Sequence, residues 1–180
     1  TVGADGVNNL APFSFFMAIT GDPPTIAFSS GARAIAPGTK AKKDTVRNVE
    51  ATGGFVVNVV DDDLAEQMNM TSAEFPPEID EFAVAGLEAA PGVKVAAPRV
   101  ALAPVSMECR FVRSIPVGNV PHHLVIGEIV YFHVRDDVFD VKTGRIDMHK
   151  LRPLGRLAGN LYSHVHDIFE MKRPSDTYIG

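Results

Sequence analysis

A mainly β, α+β domain is the expected fold, an antiparallel barrel carrying a few peripheral helices. Three observations predict it. The 180 residues include thirteen prolines and fifteen glycines, which cut the chain into short extended stretches instead of long helices. The strongest apolar runs are brief, bounded by turn residues, and rich in Val, Ile and Phe. The order of elements is two strands, a helix, a strand, short helices and then long strands, which suits an antiparallel sheet with helices at its edge. The length fits one domain over residues 1–180, and the 46% hydrophobic content is enough for a core.

Along the chain, Gly3-Ala4-Asp5-Gly6 reads as a hairpin turn, with only Thr1 and Val2 before it. The natural chain is expected to supply the rest of that first strand. Val7 to Thr20 reads as extended, until Gly21-Asp22-Pro23-Pro24 breaks it. Thr25 to Phe28 is a short strand, and Ser29 to Lys43, small and polar with no period, is a loop. Asp44-Thr45 opens a helix that Asp44 is expected to cap, with Val46 and Val49 on one face and Gly53-Gly54 at its end. Phe55 to Val60 is a buried strand. Asp61-Asp62-Asp63 precedes a short helix at Leu64 to Met68, where carboxylates suit the helix dipole better than a metal. A further helix is expected over Glu78 to Leu87. Ala97 to Pro104 is a connector, and Val105–Arg113, Leu124–Val134 and Phe139–Val141 are strands. The tail from Leu151 to Met171 reads as a strand or loop followed by a terminal helix.

The net charge of −5 disfavours a nucleic-acid surface, which needs clustered Lys and Arg. No apolar run approaches the ~20 residues of a membrane-spanning helix. Cys109 is the single cysteine; it reads as a small buried filler, since no His or Lys neighbour would activate it. One thiol and no recognisable leader lead us to expect a cytoplasmic protein.

The most informative constellation is Phe28-Ser29-Ser30-Gly31 followed by Lys42-Lys43-Asp44-Thr45. A helix start offers unpaired amides and partial positive charge, which suit a phosphate. Ser29, Ser30 and Thr45 would add hydroxyls; Arg33, Lys40, Lys42 and Lys43 would add charge. The same residues equally describe a solvated loop with an ordinary helix cap. In Ala11-Pro12-Phe13-Ser14-Phe15-Phe16, strand alternation sends Phe13 and Phe15 to one face and Ser14 and Phe16 to the other. Ser14 beside aromatic surface would suit a flat heterocycle, though an aromatic core strand is the plainer reading. His122-His123 and His164-x-His166 lack a carboxylate or thiol partner at a convincing spacing, so no metal site is expected. No catalytic triad or dinucleotide fingerprint is present. Arg152, Arg156, Asn160 and Tyr162 gather around Gly155 and Gly159, which reads as a helix cap and subunit contact or as a ligand's border.

The chain resembles the flavin reductase-like, FMN-binding split-barrel family over nearly its whole length. The resemblance rests on Asn9-Leu10-Ala11-Pro12-Phe13-Ser14-Phe15-Phe16, Asp22-Pro23-Pro24, Phe28-Ser29 and Lys43-Asp44-Thr45. It continues through Thr71-Ser72-x-Glu74-Phe75-Pro76, His123-Leu124-Val125-Ile126-Gly127-Glu128 and Leu151-Arg152-Pro153-Leu154-Gly155-Arg156. Their order and spacing together are specific. Met17 departs from the pattern where relatives often have Asn, and Ala158 replaces the first of a common Gly-Gly pair.

The resemblance implies a Greek-key split barrel that forms a homodimer with FMN at the subunit interface. It places Ser14, Phe15 and Phe16 near the isoalloxazine ring and Ser29 and Ser30 near the ribityl chain or phosphate. Lys43, Asp44 and Thr45 fall at the phosphate, while His123, Arg156 and Tyr162 border the pocket, in part from the other subunit. It implies an oxidoreductase fed by NADH or NADPH, passing electrons to a small-molecule or protein acceptor, with no side chain needed as general acid or base. The alternatives are a flavin carrier that docks to a protein partner, and an FMN enzyme that oxidises a small amine or reshapes haem.

Overall fold

The computed structural model describes residues 1–36, 39–120 and 122–174; the side chains of 35–40 lie outside that description, and with them that of Lys40. In chain order the elements are β1 (Phe16–Gly21), β2 (Pro24–Ser30), β3 (Ala32–Ala36), β4 (Thr39–Lys42), α1 (Asp44–Thr52) and β5 (Gly54–Asn58). A 3-10 turn (Asp62–Leu64) leads into α2 (Ala65–Met70), and α3 (Glu81–Val84), β6 (Ala89–Ala90) and β7 (Arg99–Val100) follow. The long β8 (Val105–Val117) and β9 (His122–Val134) precede β10 (Phe139–Asp140), β11 (Arg145–Ile146), α4 (Met148–Leu151), β12 (Leu154–Arg156) and β13 (Tyr162–His164).

One antiparallel sheet in the order β1-β2-β9-β8-β5 forms the frame. β8 and β9 pair along their full length, and their register shifts between Glu108 and Cys109 and again between Phe111 and Arg113. Each such bulge bends the strands and raises their twist, which lets so few strands curl around a core. That core holds Ile26, Phe28, Val46, Val49, Phe55, Cys109 and Val125. Phe28 sits between two rings, with Phe13 at 4.8 Å and Phe55 at 5.4 Å between centroids. Gly127 makes room for Phe55: a Cβ there would stand 2.5 Å from the Phe55 ring.

A buried carboxylate holds the irregular segment outside β8. Glu108 is fully buried and accepts hydrogen bonds from the amides of Val93, Lys94 and Val95 at 2.7, 2.6 and 3.0 Å. His133 Nε2 meets its other side at 2.6 Å. Burial alone would raise this carboxyl, but His133 and the three amides hold it below the usual range.

α1 forms because Thr45, Val46 and Val49 share a buried face, and it stops at Gly53, left-handed at φ 76°, whose N–H bonds the Val49 carbonyl. Its start differs from the sequence expectation. Lys43 occupies the capping position and makes no side-chain cap, while Asp44 is the first helical residue. The Asp44 carboxylate is drawn away from the helix amides by Arg33, at 2.9 Å, and by Arg47.

Other expectations also change. The segment expected as a loop over Ser29–Lys43 contains the end of β2 and the β3–β4 hairpin. The long extended stretch from Val7 reduces to β1, since Pro12 offers no amide for pairing. The helix expected over Glu78–Leu87 is one turn, α3, capped by Asp80 through the Phe82 amide. The terminal helix is absent among the described residues; the tail forms the β12–β13 hairpin instead, turning at Gly159, φ 61°.

Candidate functional site

A cleft of about 490 Å³ opens at the start of α1. Its walls come from three parts of the chain: the Asn9–Phe16 segment, the β3–α1 junction with Arg33, Lys43, Asp44 and Thr45, and the stretch Thr71–Phe75 after α2. The hairpin residues Leu154, Arg156 and Tyr162 close one side. Of the sequence candidates, the structure brings together Ser14, Phe16, Lys43, Asp44, Thr45, Arg156 and Tyr162.

Each of these side chains has a definable state. Thr45 is buried and its Oγ1 accepts from Asn9 Nδ2 at 3.0 Å, so its own proton is available to a ligand. Asn9 Nδ2 also donates to Thr1 Oγ1 at 2.9 Å, which fixes the Asn9 side chain from two directions. Arg33 is committed to Asp44 and to the Phe75 carbonyl, tying the 71–75 wall to the α1 start. Lys43 is the cation that remains at that start, next to a helix end that no side chain caps. Arg156 lies over the Tyr162 ring, 4.7 Å from its centroid, and bonds its hydroxyl and the Gly159 carbonyl. These contacts hold the β12–β13 hairpin in one shape.

The acid side of the cleft is Glu81, which accepts from the Leu10 amide at 2.9 Å. Burial pushes its carboxyl up, and the Leu10 amide opposes this only in part. Glu74 also lines the cleft. Asp44 is paired with Arg33 and Arg47, so the uncapped helix end and Lys43 carry the positive potential at the start of α1. An anion is favoured there.

Four candidates stand off the cleft wall. Phe15 is 69% exposed, on the outside of the sheet edge, so Phe13 and Phe15 do not share a face as strand alternation predicts. Ser29 and Ser30 lie opposite Leu124 and His123 on β9, with Ser30 fully buried. His123 is buried with Nδ1 lacking a hydrogen-bond partner. The sequence assigned no role to Thr71–Phe75, although it contains two hydroxyl residues after a short helix; its place in the wall depends on the distant Arg33. A second omission is Asp62. It meets His164 Nδ1 at 2.7 Å and His166 Nε2 at 2.6 Å, supplying the carboxylate partner those histidines were expected to lack.

Cys109 is inert in this arrangement. It is fully buried, and burial pushes its thiol up to about 12.

Comparison with known proteins identifies the family and the fold. Residues 1–149 match the flavin reductase like domain family. A protein from Aquifex aeolicus is 40% identical over 90% of this chain and 79% of its own length. Among solved structures, nitrilotriacetate monooxygenase component B from Bacillus cereus superposes with a TM-score of 0.87 at 35% identity, covering 94% of this chain and 83% of that one. The 2-nitrobenzoate 2-nitroreductase of Pseudomonas fluorescens gives 0.84 at 28% identity, covering 97% and 82%. The chain therefore belongs to the flavin reductase-like family and adopts its split-barrel fold.

Proposed function

We propose that this chain binds FMN in the α1 cleft as a homodimer and works as an NAD(P)H-dependent flavin reductase or a related oxidoreductase. The observation that carries the reading is the uncapped start of α1, where Lys43 and the free proton of Thr45 converge on a cleft of cofactor size. The donor set fits FMN: an anion-favouring helix end, hydroxyls at Ser14 and Thr45, and aromatic surface at Phe13 and Phe16 on the same wall. The family and its neighbours, a monooxygenase component and a nitroreductase, support redox work.

Bound FMN would supply the chemistry, taking up hydride from a nicotinamide and passing electrons onward. The protein's part is binding and positioning. Lys43, Thr45 and the first amides of α1 would hold the phosphate, Ser14 would donate to the ring edge, and Arg156 with Tyr162 would close the pocket. A second copy is supported by apolar side chains left in solvent on the edge strand β1, where Phe16, Met17 and Ile19 are all exposed beside Phe15. Such a patch marks an interaction surface.

The test is anaerobic mixing of FMN-loaded protein with NADH or NADPH. Bleaching of the flavin absorbance within seconds is expected. A flavin that stays yellow for minutes with both nicotinamides, yet bleaches with dithionite, would overturn the reductase reading in favour of an electron carrier.

A further inference from the structure

We propose that Asp62, His164 and His166 form a surface site for a borderline divalent transition-metal cation, of which Zn²⁺ is the natural probe. The three offer one ligand atom each, and these atoms all lie within 4.8 Å of one another. His164 ends β13 and His166 follows two residues later, and the two imidazoles meet the two oxygens of one carboxylate. Their rings are 5.3 Å apart and 31° from parallel, and one nitrogen of each faces the same carboxylate.

The donor set decides the class of ion. Two imidazole nitrogens and one carboxylate oxygen suit Zn²⁺, Co²⁺ or Ni²⁺, whereas Mg²⁺ and Ca²⁺ want oxygen alone. Ligand bonds of about 2.1 Å in tetrahedral array separate the ligand atoms by roughly 3.4 Å. The two Asp–His contacts need to open by about 0.7–0.8 Å, and any wider separation, at most 4.8 Å, must close toward the same value. Side chains this exposed, 65% for His164 and 54% for His166, can rotate to meet it. The same exposure gives the ion an entry path and leaves the fourth position to water. Asp62 is the fixed member: its side chain is largely buried, and its amide donates to the Arg152 carbonyl at 3.2 Å. The neighbouring carboxylates are engaged elsewhere, Asp61 in capping Leu64 and Asp63 with Arg152 at 2.8 Å. Each of the three consecutive aspartates thus has a separate partner.

An ion here would clip the end of the β12–β13 hairpin to the 3-10 turn 102 residues away in sequence. That hairpin carries Arg156 and Tyr162 into the cleft, so the metal would stiffen one wall of the pocket. The site stands apart from the flavin reading and survives its failure.

The experiment uses untagged full-length protein stripped with a chelator, then titrated with Zn²⁺ against a chromophoric competitor and with Co²⁺ by visible absorption. One ion per chain is expected, with low-micromolar or tighter affinity and ligand-field bands of nitrogen and oxygen ligation. His164→Gln with His166→Gln should abolish it, Asp62→Asn should weaken it at least tenfold, and His149→Gln should leave it intact. Proton NMR of the Co²⁺ form of the unaltered protein should show two shifted imidazole N–H resonances, a readout independent of how the variants fold. Binding that persists in the double variant, or no stoichiometric binding by the unaltered protein, would overturn the proposal and leave two surface hydrogen bonds.

Discussion

Replacing Thr45 with Val separates phosphate recognition from the rest of flavin binding. The two side chains have nearly the same shape, so the buried position beside Val46 stays filled. Two things are lost. The first is the hydroxyl proton that the Asn9 contact leaves free; donated to a charged phosphate it is worth about 1.5–3 kcal/mol, or roughly ten- to 150-fold in affinity. The second is one of two acceptors for Asn9 Nδ2, which keeps Thr1 Oγ1 at 2.9 Å, so the fold should lose only about 1 kcal/mol. Titrating the variant with FMN and with riboflavin, by quenching of flavin fluorescence, isolates the first effect because riboflavin has no phosphate. FMN should weaken by the stated factor while riboflavin is unchanged. Equal losses for both ligands would refute the assignment of Thr45 to the phosphate.

Glu108→Gln should cost about 2–4 kcal/mol at neutral pH, since an amide cannot accept from three backbone N–H groups and His133 at once. The Glu108 pKa is lowered in the fold, so its contribution is complete above the unfolded value of about 4.3 and is lost as pH falls through the folded value. Urea midpoints of the two proteins should therefore converge on acidification; a constant gap would contradict this. Gly127→Ala forces a methyl against the Phe55 ring and should destabilise by about 1–3 kcal/mol. A shift under about 0.5 kcal/mol by denaturant unfolding would mean that the ring has room to move. Cys109, with its thiol raised to about 12, should resist disulfide reagents in the native protein and react promptly in denaturant. Rapid native labelling would show that the core opens easily.

Where local chemistry decides structure, the sequence was readable. Val46, Val49 and Gly53 announce α1, and the apolar alternation from Val105 onward announces the long strands. The β3–β4 hairpin was hidden because Ala32 to Lys42 is small and basic, with no run of Val, Ile or Phe; the antiparallel pairing of Ala32–Ala36 with Thr39–Lys42 defines it. Asp44 was misread as a cap because its competitors, Arg33 eleven residues earlier and Arg47 three later, become neighbours only through the fold. The same applies to the site. The α1 half of the cleft lies in one stretch of sequence, while the Thr71–Phe75 wall and the Asp62–His164–His166 cluster are assembled from residues far apart in the chain. Four expected flavin neighbours, Phe15, Ser29, Ser30 and His123, do not line the cleft of a single chain. In the proposed homodimer, a second subunit would have to bring a flavin to them.

The most direct measurement is a crystal structure of the protein grown with excess FMN. The account predicts phosphate density at the first turn of α1, within hydrogen-bond reach of Thr45 and Lys43, and the ring beside Ser14 and Phe16. A flavin bound elsewhere, or solvent alone at that corner in saturating FMN, would contradict it.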